Sequence, residues 1–287
     1  MTRIACIGEA MIELSLVDDD AQVGVAGDTL NTAIYLHRSA PDMQVDYLTC
    51  LGDDPFSARI RSFIAAQGVG TRAIREIVGA SPGLYAITTT PEGERSFTYW
   101  RETAAARQLF ADHDFSVLAD YDAVYISGIS MAILPHDVRL ALIAYLESAP
   151  LQVIYDSNYR PRLWNSVDHA RSITSAMWTR ADIALPSIDD EMVLFDETAS
   201  AVTARFQMHS GQGALKRGSE GPISIGTPTP QSYPAAPKVI DTTAAGDSFN
   251  GGYLAALLSG QTQAQALMAG HTLAAKVVQH RGAIIPE

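Results

Sequence analysis

The chain reads Asp241-Thr242-Thr243-Ala244-Ala245-Gly246-Asp247-Ser248-Phe249-Asn250-Gly251-Gly252 where an apolar run of helical spacing begins. Small side chains leave backbone N–H groups uncovered, and the unpaired N–H groups and positive dipole end of a helix start bind phosphoryl oxygens. Asp247 would then lie beside a transferring phosphate and act as a base. The alternative is an Asp that only caps a helix, which is a common role for this residue.

The rest of the chain alternates between strand-like and helical patterns. Helices are predicted after the cap Asp54, after the cap Ser166 and after Gly246, each with an apolar stripe. Such alternation is typical of an α/β fold with a mostly parallel sheet and helices on both faces. The strand-like runs are Ile4–Ile7, Val45–Cys50, Ala123–Ser127, Val153–Asp156 and Ile183–Leu185.

The composition indicates a globular protein whose net negative charge disfavours binding to anionic polymers and surfaces. With 287 residues, 47% of them hydrophobic, the chain has ample material for a core. The net charge of −12 repels nucleic acid and anionic membranes, so an anionic substrate must be held by local Arg, Lys, amides or metal. Cys6 and Cys50 lie in apolar runs and are expected to be free, buried thiols. No secretory signal or membrane-spanning run is found, and we expect a cytoplasmic protein.

A second polar segment precedes the helical run Ile34–Ser39. It contains Gly27, Asp28 and Asn31 on a predicted strand-to-helix turn. Polar groups at that position can contact sugar hydroxyls. The alternative is a helix cap with nothing bound.

One region departs from the alternation of strands and helices. Leu84–Thr90 and Arg95–Arg101 read as two strands joined by the turn Pro91–Glu94, and with Met11–Val17 they could form a small separate sheet. Alternation along the strand puts Tyr99 and Arg101 on one face. Arg101 could therefore bind a carboxylate with its forked donors, or lie exposed beside interface aromatics.

Arg160 is a second candidate for binding an anion. It follows the Val153–Asp156 strand, which places it in the crevice outside the carboxyl end of the sheet. Two arginines aimed at one pocket suit an acidic sugar better than a neutral one.

Residues 241–247 match every fixed position of D-T-x-x-A-G-D and resemble the signature of the ribokinase-like (PfkB) carbohydrate kinases. The resemblance implies a single three-layer α/β/α domain, residues 1–287, with a small β-lid built from about 11–24 and 82–103. It also implies that Asp247 is the catalytic base, and that the amides of Ala244, Ala245 and Gly246 form an anion hole. In this family the lid often carries the contact of a homo-oligomer.

The segment from Gly27 to Asn31 is similar to the second family signature, Gly-Gly-x-x-x-Asn, with Ala26 in place of the first Gly. Across nearly the whole chain the likeness is strongest to family members that phosphorylate 2-keto-3-deoxygluconate at its 6-hydroxyl. It implies that Tyr85, Tyr99, Arg101 and Arg160 hold the sugar acid. A kinase for fructose or another neutral sugar, and a non-catalytic sugar-binding regulatory protein, are the alternatives.

The resemblance also implies ATP with Mg²⁺. Lys216, Gly218 and Gly221 lie in a segment similar to the family loop that contacts ATP, although such a segment could also be a surface hairpin. Ser187 and Asp190 stand where the family has Asn and Glu in Asn-x-x-Glu, so Asp190 or Glu191 would bind Mg²⁺ through water. Relatives bind K⁺ near the segment that matches Asp241 and Thr243, which leaves K⁺ as an optional activator.

Overall fold

The computed structural model describes residues 2–17, 20–89 and 95–286. The strands are β1 (Arg3–Ile7), β2 (Met11–Val17), β3 (Asp20–Ala26), β4 (Gln44–Leu51), β5 (Ile74–Glu76), β6 (Leu84–Thr89), β7 (Arg95–Trp100), β8 (Ala123–Ser127), β9 (Gln152–Asp156), β10 (Ile183–Ala184), β11 (Gln212–Leu215) and β12 (Ile223–Ile225). The helices are α1 (Asp28–Ser39), α2 (Pro55–Ala66), α3 (Gly128–Ile133), α4 (His136–Ser148), α5 (Val167–Arg180), α6 (Ile188–Phe195), α7 (Ala199–Gln207), α8 (Ala245–Leu258) and α9 (Gln263–Val277).

The strands pair into two sheets. The main sheet has the order β12-β11-β10-β9-β8-β1-β4-β5 and is parallel except at β11 and β12. The small sheet has the order β3-β2-β6-β7 and is antiparallel except at β2 and β6. The predicted mostly parallel α/β sheet is thus confirmed, together with the five strands predicted within it. The predicted turn Pro91–Glu94 lies outside the described residues.

Hydrophobic cores lie on both faces of the main sheet. In β1, Ile4 and Cys6 pack against α1, α8 and α9, whereas Ala5 and Ile7 pack toward α3, α4 and α5. A parallel strand buried on both faces needs consecutive apolar residues, which β1 supplies from Ile4 to Ile7. Each fully buried Ile contributes about 1.5–3 kcal/mol. Cys6 and Cys50 are both buried and in no disulfide, as predicted.

Helices α2 and α5 begin where capping chemistry predicts, whereas α1 and α8 begin earlier than predicted, α8 at Ala245 rather than after Gly246. The side chain of Asp54 accepts hydrogen bonds from the amides of α2, and that of Ser166 accepts one from α5. Helix α1 begins at Asp28, earlier than predicted, because the amide of Asn31 already bonds the carbonyl of Gly27. Asp28 and Asn31 therefore lie in the first turn of a helix rather than on the connection before it.

Helix α8 packs between α1 and α9 at close range. A Cβ atom at Gly251 would lie 2.6 Å from Cβ of Tyr35 and 2.8 Å from the amide nitrogen of Leu36. Only glycine permits this approach. The contact fixes the start of α8 beside the start of α1, so Asp247 and Asn31 face each other.

The chain order of the main sheet reverses at β1, between β8 and β4. In open α/β sheets, ligands bind outside the carboxyl ends of the strands at such a reversal. One face of the small sheet packs on the main body through Ile12 and Val25, and the other looks across this edge. Within the described ranges, no helix is long and apolar enough to cross a membrane.

Candidate active site

A cleft of about 1730 Å³ lies at the carboxyl ends of the main-sheet strands, under the small sheet. It is larger than a pocket for one small ligand and has room for two substrates. Two of the predicted site residues, Gly221 and Glu191, do not line it. The predicted residues that line it are Gly27, Asp28, Asn31, Tyr85, Tyr99, Arg101, Arg160, Ser187, Asp190, Lys216, Gly218, Ala244, Ala245, Gly246 and Asp247.

The start of α8 presents backbone amides to the cleft. Ala244 has a left-handed conformation with φ of 59°, which is costly for a residue with a Cβ atom. It turns the chain so that Ala245, Gly246 and Asp247 form the first helical turn. N–H groups at a helix start have no acceptor inside the helix, and that of Ala245 donates instead to the carbonyl of Thr242 at 3.2 Å. Beside Gly246 the space is open: an added Cβ would meet only Nζ of Lys216, at 3.9 Å. These amides and the helix dipole suit a phosphoryl group.

Asp247 has the properties of a general base. Its Oδ2 accepts a hydrogen bond of 2.8 Å from Nδ2 of Asn31, which orients the carboxylate. Burial, and then the charge of Asp28, raise the pKa of Asp247 to about 7, while Lys216 opposes the shift. A base with a pKa near neutral pH transfers protons efficiently.

A buried polar network lies below the anion site. Nζ of Lys216 is 2.7 Å from Oδ2 of Asp156 and 3.2 Å from Oδ1 of Asn250. Nδ2 of Asn250 donates to the same Asp156 oxygen at 2.6 Å and to the hydroxyl of Tyr125 at 3.0 Å. The network holds the ammonium group of Lys216 beside Gly246. Sequence reasoning assigned no role to Asp156 or Asn250, although Asp156 ends a buried strand at this edge.

The nucleotide-loop residues divide into two groups. Lys216 pairs with the start of α6, since its amide donates to Pro186 and its carbonyl accepts from Ile188, and this brings Ser187 next to it. Gly218 lines the cleft with φ of 54°. Gly221 has φ of 79°, and a Cβ there would meet the ring of Tyr233 at 2.4 Å. Glycine is therefore required at position 221 for the turn and its packing.

Asp190 and Glu191, the two candidate Mg²⁺ residues, point in different directions. Asp190 faces the cleft, where it accepts from the amide of Tyr159 at 3.3 Å and pairs with Arg160 at 3.5 Å. Glu191 is fully buried and accepts from Trp178 and Arg205. Successive residues of a helix point about 100° apart, so both cannot serve one site. Of the two alternatives, the structure favours Asp190, because it lines the cleft whereas Glu191 is buried against Trp178 and Arg205.

The described residues contain no group of three or more His, Cys, Asp or Glu side chains that could hold a metal ion. Mg²⁺ commonly uses one or two carboxylates, keeps several waters and binds substrate phosphates. Asp190, with the exposed Asp189 beside it on the cleft wall, fits that kind of site.

The small-sheet end of the cleft is aromatic. Tyr85 and Tyr99 stack with ring centroids 5.5 Å apart, and the hydroxyl of Tyr85 donates to Glu13. Arg101 lies over Tyr99 at 5.9 Å and pairs with the buried carboxylate of Glu9. Tyr99 and Arg101 thus share the cleft face. Sequence reasoning missed Glu9 and Glu13, whose signal was two acids four residues apart in an otherwise apolar run.

Gly27 and Asp28 have contacts that explain their residue types. A Cβ at Gly27 would lie 2.2 Å from the carbonyl oxygen of Glu9, so the close backbone approach occurs here and Ala26 is tolerated. Asp28 accepts a hydrogen bond of 2.8 Å from Nδ2 of Asn158. This bond ties the start of α1 to the loop after β9, opposite Asp247.

One end of the cleft holds Asp247 with its raised pKa, the start of α8 and Lys216. The other end is an aromatic wall that carries Arg101. A hydroxyl presented to Asp247 could lose its proton while the amides and Lys216 stabilise charge on an incoming phosphoryl group. The geometry is suited to phosphoryl transfer onto an alcohol.

Comparison with known proteins agrees with this chemistry. The chain is 42% identical to the 2-dehydro-3-deoxygluconokinase of Dickeya dadantii, covering 99% of this chain and 97% of the relative. It is 40% identical to the 2-dehydro-3-deoxygluconokinase of Escherichia coli K12, again over 99% of this chain and 97% of the relative.

Solved structures share the fold. A PfkB protein from Polaromonas superposes with a TM-score of 0.85 at 24% identity, covering 97% of this chain and 96% of that one. The 2-dehydro-3-deoxygluconokinase of Thermotoga maritima superposes with a TM-score of 0.83 at 19% identity, covering 99% and 96%. The family described as pfkB family carbohydrate kinase matches residues 1–287, and the chain belongs to this family.

Proposed function

We propose that the protein catalyses ATP-dependent phosphorylation of 2-keto-3-deoxygluconate, also called 2-dehydro-3-deoxygluconate, at its 6-hydroxyl. The products are 2-keto-3-deoxy-6-phosphogluconate and ADP. The carrying observation is that Asp247, held by Asn31 at a helix start, shares one cleft with Tyr85, Tyr99 and Arg101. The names of relatives at 37–42% identity support the choice of substrate.

The residues at the Asp247 end of the cleft carry out the transfer, and those toward the small sheet bind the sugar acid. Asp247 accepts the proton of the 6-hydroxyl, and the amides of Ala244, Ala245 and Gly246 stabilise charge on the transferring phosphoryl group. Gly27, Asp28 and Asn31 bind the sugar hydroxyls. Tyr85, Tyr99, Arg101 and Arg160 bind the remainder of the sugar acid, including its carboxylate.

ATP would lie along Ser187, Lys216, Gly218 and the start of α8. Mg²⁺ would bridge its phosphates and be held through water by Asp190, where it neutralises charge during transfer. K⁺ could also activate the enzyme by binding near Asp241 and Thr243. Asp241 accepts hydrogen bonds from the amides of Thr243 and Gly282 there. Comparing initial rates in K⁺ and Na⁺ buffers decides whether K⁺ activates.

We also propose that residues 1–287 form one domain in which the small sheet acts as a lid and carries a homo-oligomer contact. Trp100, which strand alternation places on the face opposite Tyr99, is 57% exposed on the edge strand β7 and is suited to such a contact. Sedimentation of wild type and Trp100→Glu tests this. The variant should sediment as a monomer, whereas identical behaviour of both proteins counts against the contact.

One observation favours a second candidate, a kinase for a neutral sugar such as fructose. Arg101 is paired with Glu9 and Arg160 with Asp190, so neither guanidinium is without a carboxylate partner. Initial rates across 2-keto-3-deoxygluconate, its galactonate epimer, fructose and ribose separate the two. Preference for fructose or ribose would overturn the proposed function.

Arg101→Ala adds a second, independent discrimination. It should raise KM steeply for a carboxylated sugar and barely change KM for a neutral one. Arg61 is partly exposed and its 4.0 Å pair with Glu76 lies outside the cleft, so Arg61→Ala provides the control.

A further inference from the structure

The small-sheet end of the cleft, formed by Tyr85, Tyr99 and Arg101, is the recognition end. It holds an arginine to which the proposed function assigns no role. Arg107 lies in the short 3-10 turn Ala105–Gln108, directly after the small sheet, and it lines the cleft. Its side chain is half-buried. The backbone amide of Arg107 donates to the carbonyl of Ala104, but its guanidinium has no hydrogen bond or ion pair with any described residue. Partly burying a guanidinium without an acceptor is costly, so an acceptor supplied by a ligand would explain the position.

The neighbouring charged groups already have partners. Arg101 is paired with the buried Glu9, and Arg139 donates to the carbonyls of Ala132 and Leu134. Burial raises the pKa of Glu9, and the charges of Arg101 and Arg107 oppose this shift, so Arg107 is within electrostatic range of the pair. Glu102 also lines the cleft, but it is exposed to solvent.

The guanidinium of Arg107 is therefore the cation at this end that has no carboxylate partner among the described residues. Glu9 offsets Arg101, which leaves the positive charge of Arg107 without a buried counter-charge. Glu9 still has an unbonded Oε1 and Arg101 an unbonded Nε, so their pairing does not exhaust the donors of Arg101. Glu13 at this end is already bonded by the hydroxyl of Tyr85, and the carboxylate of a sugar acid would supply an anionic acceptor for Arg107, which a neutral sugar does not.

We propose that Arg107 binds the carboxylate of the sugar acid together with Arg101, and that Glu9 positions Arg101 from behind. Arg107 is then a specificity-determining residue of the phosphoryl-transfer reaction, and it accounts for recognition of an acid even though Arg101 and Arg160 have carboxylate partners. This inference rests on the proposed function.

The test is the kinetics of wild type, Arg107→Met, Arg107→Lys and the control Arg61→Met with 2-keto-3-deoxygluconate and ATP-Mg²⁺. We expect Arg107→Met to raise KM for the sugar acid by about 10- to 100-fold, since a charge-assisted hydrogen bond is lost. KM for ATP should stay within twofold, because ATP binds at the other end. Arg107→Lys keeps the charge without the fork and should give a smaller rise, and Arg61→Met should match wild type.

Two results would overturn the inference alone: an active wild type with an unchanged sugar-acid KM in Arg107→Met, or an equal rise in the KM values of sugar acid and ATP. A wild type that prefers neutral sugars would instead overturn the proposed function, and the inference with it. Arg107→Lys keeps the test valid if the Met variant does not fold.

Discussion

The two ends of the cleft are formed by different parts of the structure: the reaction end by the main sheet and the start of α8, and the recognition end by the small sheet. At the reaction end, the first turn of α8 lines the cleft, and below it Lys216 is held by Asp156 and Asn250, which are buried at the edge of the main sheet. At the recognition end, Tyr85 and Arg101 stand on the small sheet and are held by single acids, Glu13 and Glu9. Reaction chemistry thus depends on backbone and core packing, while substrate choice depends on a few exchangeable side-chain pairs. Substitutions at the first end should change kcat for any sugar, and those at the second should change KM for one class.

The largest effect is expected at Asp247. Asp247→Asn removes the base but keeps the shape and the hydrogen-bonding contact with Asn31, so kcat should fall by roughly 10²- to 10⁴-fold. Both KM values should change little. Initial-rate measurements check this, and Asp168→Asn, at an exposed position on α5, is the control. A folded Asp247→Asn enzyme with wild-type turnover would rule out the base.

The reaction end was also the more predictable from sequence. The anion site and its base are local features, because seven consecutive residues set the helix start and its first turn. Strand and helix patterns gave the main sheet for the same reason. The sequence could not indicate that Glu9 meets Arg101 or that Lys216 meets Asp156, because these partners are 92 and 60 residues apart and only the assembled sheet joins them. The choice between Asp190 and Glu191 could not be made from the sequence, because adjacent helix positions face different surroundings and a motif without exact spacing does not resolve them.

Asp190 and Glu191 sharpen the comparison within a single helix. Asp190→Asn should raise the Mg²⁺ concentration for half-maximal rate by roughly 10- to 100-fold, in the range found when groups that support a metal are removed. Glu191→Gln should leave the Mg²⁺ dependence unchanged. Instead it should lower the free energy of unfolding by about 1–3 kcal/mol, because a hydrogen-bonded charge pair with Arg205 is weakened.

Mg²⁺ titrations of the rate and chemical denaturation separate these outcomes. Equal Mg²⁺ dependence in wild type and Asp190→Asn would remove Asp190 from the reaction end. A shifted Mg²⁺ dependence in Glu191→Gln would favour Glu191 over Asp190 as the residue that binds Mg²⁺.

Substitutions of Gly246 and Gly251 in α8 separate the binding of phosphate at the helix start from the packing of the helix on α1. Gly246→Ala has room for its methyl group and should keep or slightly raise stability, by about 0.5–1 kcal/mol. Its methyl group would enter the space for phosphate, so KM for ATP should rise about tenfold if one phosphate hydrogen bond is lost. Gly251→Ala should instead cost about 1–3 kcal/mol through overpacking against Tyr35 and Leu36.

Thermal unfolding and ATP titrations report these effects separately. If Gly246→Ala binds ATP as wild type does, the start of α8 is not the phosphate site. If Gly251→Ala is as stable as wild type, the close packing of α8 on α1 does not position Asp247.

The smallest expected change is a displacement of the pH profile. Because burial and Asp28 raise the pKa of Asp247 to about 7, activity should fall as pH drops through that value and protonates the base. Asp28→Asn removes the second of these causes, so the acidic limb of the kcat profile should move to lower pH. An unmoved limb would mean that another group limits the rate.

The same carboxylate links function to stability, with a sign that can be checked. A pKa raised in the folded state means that the folded protein holds the Asp247 proton more tightly than the unfolded chain. The stability associated with this group is therefore complete at acidic pH and is lost as pH rises from the ordinary aspartate range through about 7. Asp247→Asn should unfold at a higher temperature than wild type at pH 8, and the difference should shrink toward pH 4. Equal melting temperatures at pH 8 would show that burial does not raise the pKa of Asp247 in the folded protein, and another group would then set the acidic limb of the pH profile.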